Sequence, residues 1–377
     1  MRLSAPGILP LLSFISITLF PIPLIAFDQT GNLSLEGTLT AVGQHAELNN
    51  VFDSGGNKIA DTSRAAAILD IGANYQPTGR DEFQLTLGFA EGDSLNRPDP
   101  FSLAPFADDH ESDLEDINYS GRDHLLEAWY KHTFSISEST SLGLTAGIIG
   151  TTSYIDDNAI ANDEISQIMN DIFVNNTLAN LPDYDVGAAQ EFEADRWTVR
   201  AVAMNSENND RNDYNYYALQ LGYHVETHRG PGSYRLYAYT TDDEFIDMNG
   251  TGKDSLSGIG ISIDQKINPA TGLFARVGLQ DDAVPVDHDR MVSLGIHVAG
   301  TAWNRPNDIV AAGIALLDGA HVMSTDIDNT LALETWYRYV FSDHFDLTLD
   351  AQWIKEKLRT SPDSEGLIAG IRINAIF

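Results

Sequence analysis

Three stretches of this chain set charged and aromatic groups at every second position: Glu127-Ala-Trp129-Tyr-Lys131, Arg235-Leu-Tyr237-Ala-Tyr239 and Glu334-Thr-Trp336-Tyr-Arg338. In an extended strand, residues two apart share a face. Each triplet would therefore present its polar and aromatic groups together. Leu331, Leu333 and Tyr337 take the opposite face of the third stretch. The same alternation puts Arg200, Arg276, Arg372, Asp346 and Asp350 on the polar face of their strands. A one-residue slip would turn any such set to the other side. Fixed donors and acceptors suit the hydroxyls of a polyhydroxylated solute. The indole faces of Trp129 and Trp336 suit the apolar face of a pyranose ring. The plainer alternative is internal: the arginines pair with Glu127, Glu334 and Asp350 to neutralise a wall, and the rings only pack.

Covalent chemistry has little material. There is no HExxH, no GxSxG and no Walker sequence; Gly252-Lys253 is followed by Asp254. Gly258-Ile-Gly260 lacks the third glycine of a dinucleotide site and sits in a strand. The ten histidines are scattered without metal-ligand spacing, and there are no cysteines. No cofactor and no metal is expected. A membrane-barrel hydrolase is the rival class, with His124, His132 and Ser135 its only material.

The elements that would carry the alternating residues are strands. Counting back from the C-terminal Phe377, Ala375, Ile373, Ile371, Ala369 and Leu367 alternate with Asn374, Arg372 and Gly370. A two-faced strand ending on an aromatic residue is how bacterial outer-membrane barrels end, with one face toward lipid and one toward a wet lumen. About sixteen such segments follow one another. Outward series include Leu33, Leu35 and Leu39; Leu69 and Ile71; Phe83, Leu85 and Leu87; and Leu126, Ala128 and Tyr130. The links alternate in length. Short ones at Pro77-Thr78-Gly79, Ser135 to Ser139, Asp195, His228 to Gly232, Asn268-Pro269 and Ser342-Asp343 interleave with long ones at 43–64, 92–121 and 151–184. Short turns on one rim and long extracellular loops on the other are the outer-membrane arrangement. Tyr75, Trp197, Tyr339, Trp353 and Phe377 lie near strand ends and fit interfacial girdles. Met1 to Ala26 reads as a signal peptide: Arg2, an apolar run, then Pro21 and Pro23. Residues 27–377 are then the barrel. The expected class is all-β, a transmembrane antiparallel up-and-down barrel, because only helices and closed sheets satisfy every backbone group in lipid.

Charge bounds the partners. The net charge is −33, and losing Met1–Ala26, whose one charge is Arg2, makes it −34. Such a polyanion excludes nucleic-acid binding. Mean hydropathy of −0.18 is compatible with a barrel, half of whose strand residues face water. The 92–121 link holds eight carboxylates and reads as a solvated acidic rim, or as a cation-attracting vestibule or one bridged by divalent ions to lipopolysaccharide. The 151–184 link differs. Ile160, Ile165, Ile168, Met169, Ile172 and Phe173 recur at spacings of mostly three and four, which predicts a short amphipathic helix. Its apolar face has to be buried, and the lumen wall is the available place. The link is therefore expected to fold inward as a constriction loop, with Asp156, Asn158, Asp163 and Glu164 as its polar contribution.

Thr152-Ser-Tyr-Ile-Asp-Asp-Asn-Ala-Ile-Ala-Asn-Asp-Glu164, with Gln167, Asn170, Phe173-Val-Asn-Asn176 and Leu181-Pro-Asp-Tyr184, resembles the carbohydrate-selective porin family of the OprB type. Trp303-Asn-Arg-Pro-Asn-Asp308, Glu334-Thr-Trp-Tyr-Arg338 and Asp350-Ala-Gln-Trp353 resemble it too. The likeness extends over most of the mature chain. It implies a sixteen-stranded barrel that passes sugars passively across the outer membrane, with a loop constricting the channel. The chain departs from that family in its high negative charge and its long acidic 92–121 link.

The expected function is a passive outer-membrane porin for small hydrophilic solutes, carbohydrates first. Pore-lining Glu127, Trp129, Arg200, Arg235, Arg276, Glu334, Trp336, Arg338 and Arg372 would contact them. A general cation-favouring porin is the alternative, and a soluble secreted β-protein the third reading. Expected partners are small sugars, membrane lipid and lipopolysaccharide; monomer and homotrimer both stay open.

Overall fold

The computed structural model describes residues 31–52, 56–97, 100–321 and 324–377. The expected signal peptide at 1–26 lies outside them. Eighteen strands occur among the described residues. They begin with β1 (Leu33–Asn49), β2 (Thr62–Tyr75), β3 (Asp81–Glu91), β4 (Leu125–Ser137), β5 (Thr140–Ile149) and β6 (Asp185–Ala194). Next come β7 (Trp197–Glu207), β8 (Asp213–Thr227), β9 (Gly230–Thr241), β10 (Phe245–Ile246), β11 (Lys253–Asp254) and β12 (Ser257–Asn268). The last are β13 (Thr271–Gln280), β14 (His288–Gly300), β15 (Arg305–Gly319), β16 (Ile327–Ser342), β17 (Phe345–Leu358) and β18 (Ser364–Ile376). Sixteen close one antiparallel barrel, while β10 and β11 form a small separate ribbon.

Every barrel strand pairs with its chain neighbours, and β18 returns to β1 with Thr38 opposite Ile376 and Asn49 opposite Glu365. Closure continues past the last strand: Gly37 N–H donates to the Phe377 carbonyl at 2.7 Å, and Phe377 N–H donates to the Gly37 carbonyl at 2.9 Å. The closed barrel itself leaves no edge to recruit another chain. Large apolar side chains remain exposed around the outside, among them Leu219 at 55%, Leu294 at 51% and Leu349 at 53%. Water would penalise such a belt, whereas lipid accepts it.

The links at 76–80, 138–139, 195–196, 228–229, 269–270, 301–304 and 343–344, none longer than five residues, fall on one rim, and long ones, at 50–61, 92–124 and 150–184, on the other. Aromatic rings gather beside the short turns: Phe83 against Tyr130 at 4.8 Å, Trp197 against Tyr223 at 4.5 Å and Tyr339 against Phe341 at 4.6 Å. The Trp303–Asp308 motif is a turn clamp. Asn304 is left-handed at φ 61°, and the Arg305 guanidinium lies 3.7 Å over the Tyr339 ring. Asp308 accepts from Arg305, from the Tyr337 hydroxyl and from Val340 N–H.

Two expectations are corrected. Leu126 points inward, because a β-bulge opposite Thr86 and Leu87 shifts the parity of β4 at that point. It is buried against Leu114 and Ile117. The helix expected within 157–176 is a single turn, α2 (Asp171–Val174); the only other α-helical turn among the described residues is α1 (Glu111–Leu114). The apolar residues are buried as expected, but barrel side chains, rather than a helical ladder, take up the loop's backbone groups.

Candidate functional site

The 150–184 segment lies inside the barrel, held by polar residues of the wall. Arg276 on β13 is the central anchor, 1% exposed. Its Nε meets Asp156 at 2.7 Å, and its other nitrogens donate to the carbonyls of Phe173, Ala161 and Val174. Asp156 in turn accepts from Asn176 N–H at 2.6 Å. Arg372 on β18 donates to the carbonyls of Glu164 and Gln167 and to the Thr348 hydroxyl. Glu334 on β16 accepts from Met169 N–H at 2.7 Å and Asn170 N–H at 3.0 Å. Asparagines serve as local caps: Asn158 for Ile160 and Ala161, Asn170 for Ile172, Asn176 for Leu178. A guanidinium has five donors in a planar fork, so one side chain can satisfy several carbonyls of an irregular loop.

The apolar side of the segment packs on the wall. Ile160, Ile168, Ile172, Phe173, Val174 and Leu178 share one cluster with Phe274, Met291, Leu317, Trp336, Ile354 and Ile368. Each fully buried side chain of this size contributes roughly 1.5–3 kcal/mol. The wall also makes room: a Cβ on Gly278 would sit 2.4 Å from the Asn176 amide oxygen.

A second loop enters the lumen. The acidic 92–124 link is more than a rim: Phe101 and Phe106 are buried, and the Pro105 carbonyl accepts from Gln44 at 3.1 Å and Gln352 at 2.9 Å. It pairs with the first loop through Ala107 N–H to the Met169 carbonyl and Asp171 N–H to the Ala104 carbonyl. The signal for this was present in Leu95, Phe101, Phe106 and Leu114, apolar residues that a solvated rim has no use for.

Between the two loops lie two cavities that share the walls Asp109, Thr152, Glu164 and Tyr184. One, of about 380 Å³, also meets Asp171, Asp183, Asn162 and Asn180. The other, of about 260 Å³, also meets Asp70, Asp108, Glu127, Thr86 and Ser153. A larger vestibule of about 580 Å³ on the long-loop side shares Thr177 and Asn180 with the first. No Lys, Arg or His lines either inter-loop cavity among the described residues. Burial raises the loop carboxyls. Asp109 is pushed up to about 7 despite a hydrogen bond from the Tyr184 hydroxyl. Glu164 reaches about 8 through burial and the neighbouring Asp163. Asp171 and Asp183 reach about 6. Asp108 is raised by burial and by Glu164.

The residues singled out from sequence fall into three groups. Arg276, Arg372, Glu334, Asp156 and Asn158 hold the loop, and Trp336, 3% exposed, packs beneath it. Asp163 caps the 163–167 turn, accepting from Ile165 and Ser166 N–H. Arg200, Arg235 and Arg338 pair with carboxylates in the short-turn half: Arg200 with Asp157 at 2.5 Å, Arg235 with Asp157 at 2.7 Å and Asp264 at 2.6 Å, Arg338 with Asp346 at 2.6 Å. Glu127 and Glu164 line the cavities, while Trp129 is partly buried at the second cluster. Asp108, Asp109, Asp171 and Asp183, which the sequence offers as loop carboxylates of a rim or vestibule, line these cavities, and sequence reasoning missed Asp70 and Tyr184 beside them. His132 is taken by Asp81 at 2.7 Å beside the short-turn rim.

The chain matches the model of the carbohydrate-selective porin, OprB family, over residues 32–377. It is 27% identical over 299 residues to an uncharacterized protein of Aquifex aeolicus (strain VF5), covering 78% of this chain and 84% of that one. Its fold is similar to the high-pH structure of Pseudomonas putida OprB, with a TM-score of 0.70 at 16% identity, covering 91% and 94% of the two chains. It is also similar to the outer membrane channel DcaP of Acinetobacter baumannii, with a TM-score of 0.55 at 11% identity, covering 93% and 99%. A closed barrel with a lipid-facing belt, loops packed in its lumen and this family match make the chain a passive channel of the outer membrane, and it belongs to the carbohydrate-selective porin family.

Proposed function

We propose that sugars cross this barrel along the gap between the 92–124 and 150–184 loops, and that the residues named from sequence divide their work. Arg276, Arg372, Glu334, Asp156, Asn158, Asp163 and Trp336 set the width of the passage by holding the inner loop. Glu127 and Glu164, with the hydroxyls and amides around them, contact the solute. Arg200, Arg235 and Arg338 with their carboxylate partners form the wall toward the periplasm, and Trp129 offers a partly buried ring face on the long-loop half of β4. The observation that carries this reading is the pair of cavities left between two lumenal loops, lined mainly by polar groups. Binding along such a path has to be weak and repeated, since a tight site would stop passage.

No catalytic step is assigned to the chain. His124, His132 and Ser135 belong to the barrel strand β4 and its approach, where His132 serves an ion pair. Residues 1–26 would direct export and be removed, and the apolar belt would meet lipid and lipopolysaccharide. Planar-bilayer conductance tests the channel proposal. Added glucose or maltose should reduce the ion current, and Glu127→Gln should weaken that block. An ion current indifferent to sugar would remove the solute path drawn here.

A further inference from the structure

Glu334 holds the inner loop with both of its oxygens, accepting from Met169 N–H at 2.7 Å and Asn170 N–H at 3.0 Å. It is also one member of a closed ring of polar groups. The Asn170 side-chain amide donates to Gln352 Oε1 at 2.9 Å, and Gln352 Nε2 donates to Asp350 Oδ1 at 2.9 Å. The same Gln352 nitrogen reaches the Pro105 carbonyl of the second loop at 2.9 Å. Asp350 lies on β17, diagonal to Glu334 on β16, and the two carboxyls are within hydrogen-bond reach of each other. Three of the four links in this ring have a donor. The fourth joins two carboxyls and has none unless a proton lies in it.

Burial makes that hydrogen matter. Glu334 is 2% and Asp350 6% exposed, and Asp350 Oδ2 is without a hydrogen-bond partner. Two carboxylates in contact away from water repel, and a single proton between them turns the repulsion into a short, charge-assisted O–H···O bond. The surrounding charges fit one proton. Arg372 on β18 faces the pair, and it faces Asp163 of the inner loop and Asp346 of β17 as well. Arg338 on β16 is already paired with Asp346 at 2.6 Å. One guanidinium balances one negative charge, which the pair carries with its proton and exceeds without it. Resting on the reading that the inner loop sets the width of the passage, we propose that Asp350 is a positioning residue: it shares one proton with Glu334, and that proton latches both lumenal loops to β16 and β17. The proton belongs to the pair rather than to either side chain. Its loss puts two negative charges behind Met169 and Asn170 and loosens the loop.

The test uses the purified full-length channel in planar bilayers at constant potassium chloride, at pH 5 and pH 9, with uncharged maltose as the blocker. The natural chain should be blocked at pH 5 and lose most of that block at pH 9. Asp350→Asn keeps the ring, because its amide nitrogen donates to Glu334 and its oxygen still accepts from Gln352, yet it has no proton to lose. It should be blocked at both pH values. Asp350→Leu removes both links and should be blocked at neither. An equal loss of block in the natural chain and in Asp350→Asn overturns the shared proton and leaves the channel standing. So does a natural chain blocked equally at both pH values, or full block in Asp350→Leu. If Asp350→Leu fails to assemble, the natural chain and Asp350→Asn decide between them. Failure of Asp350→Asn to give a heat-modifiable barrel also overturns the latch, since the amide meets the same partners. A natural chain indifferent to maltose at both pH values removes the solute path instead. Open-channel conductance, which should rise from pH 5 to pH 9 in the natural chain and stay level in Asp350→Asn, then decides the latch.

Discussion

Arg276 shows how a charge in a channel lumen can serve shape rather than solute. Its guanidinium has one carboxylate and three carbonyls of the inner loop within hydrogen-bond reach. Replacing it with methionine would leave Asp156 buried without its cation, at a cost of about 3–5 kcal/mol. The loop, rather than the barrel, should yield, since the hydrogen-bonded ladder does not depend on this side chain. We predict that Arg276→Met raises single-channel conductance and abolishes sugar block while heat-modifiable gel mobility is kept. Adding Asp156→Asn should recover part of the block, because the orphaned charge is then gone. A single variant with natural conductance would show that the apolar packing holds the loop alone.

At the scale of elements, the barrel seam and the two loops make separate demands. The seam requires Gly37. A Cβ there would sit 2.4 Å from the Phe377 ring, whose backbone makes the last closing hydrogen bonds. Gly37→Val should therefore lower the yield of heat-modifiable, closed barrel in outer-membrane fractions, and Phe377→Ala in the same chain should restore some of it. The loops demand that carboxyls be buried. Their acidities are weakened, with Asp171 and Asp183 near 6, Asp109 near 7 and Glu164 near 8. A carboxyl whose folded pKa is raised favours the folded loop below its unfolded pKa, and that advantage is lost as pH rises through the folded pKa. The packed loops should accordingly be most protected near pH 5 and progressively less so between pH 6 and 8. Over the same interval the gap gains negative charge. Potassium-over-chloride selectivity, read from the reversal potential, should therefore rise from pH 5 to pH 8; a flat profile would contradict the burial of these groups.

For the molecule as a whole, charge and lipid sort to different surfaces. The lipid belt is apolar, and among the described residues the loops, lumen and rims hold most of the carboxylates of a chain whose net charge is −33. The resulting field attracts cations from the outside medium before they reach the narrow part. It is screened over about 10 Å at 0.1 M salt and about 3 Å at 1 M. Cation selectivity should consequently be stronger in 0.1 M than in 1 M potassium chloride. Selectivity independent of salt would place its source in short-range contacts within the gap rather than in the rims.

What could be read directly from the chain was whatever depends on a period of two. Alternation in β18 and its predecessors, the alternating link lengths and the aromatic strand ends define a closed two-faced sheet, because lipid outside and water inside leave each side chain only two choices. The inward turn of the 150–184 loop was legible for a similar reason, since Ile168, Ile172 and Phe173 must leave water somewhere. Tertiary structure alone decided what the lumenal groups do. Arg276, Arg372 and Glu334 point inward as their parity requires, yet parity cannot say whether an inward arginine meets a solute or a loop carbonyl. The bulge at Leu126, the entry of Phe101 and Phe106 and the meeting of Asp108 with Glu164 depend on contacts between segments far apart in sequence. The charge of the passage, unlike that of the chain, is therefore a property of the packed loops.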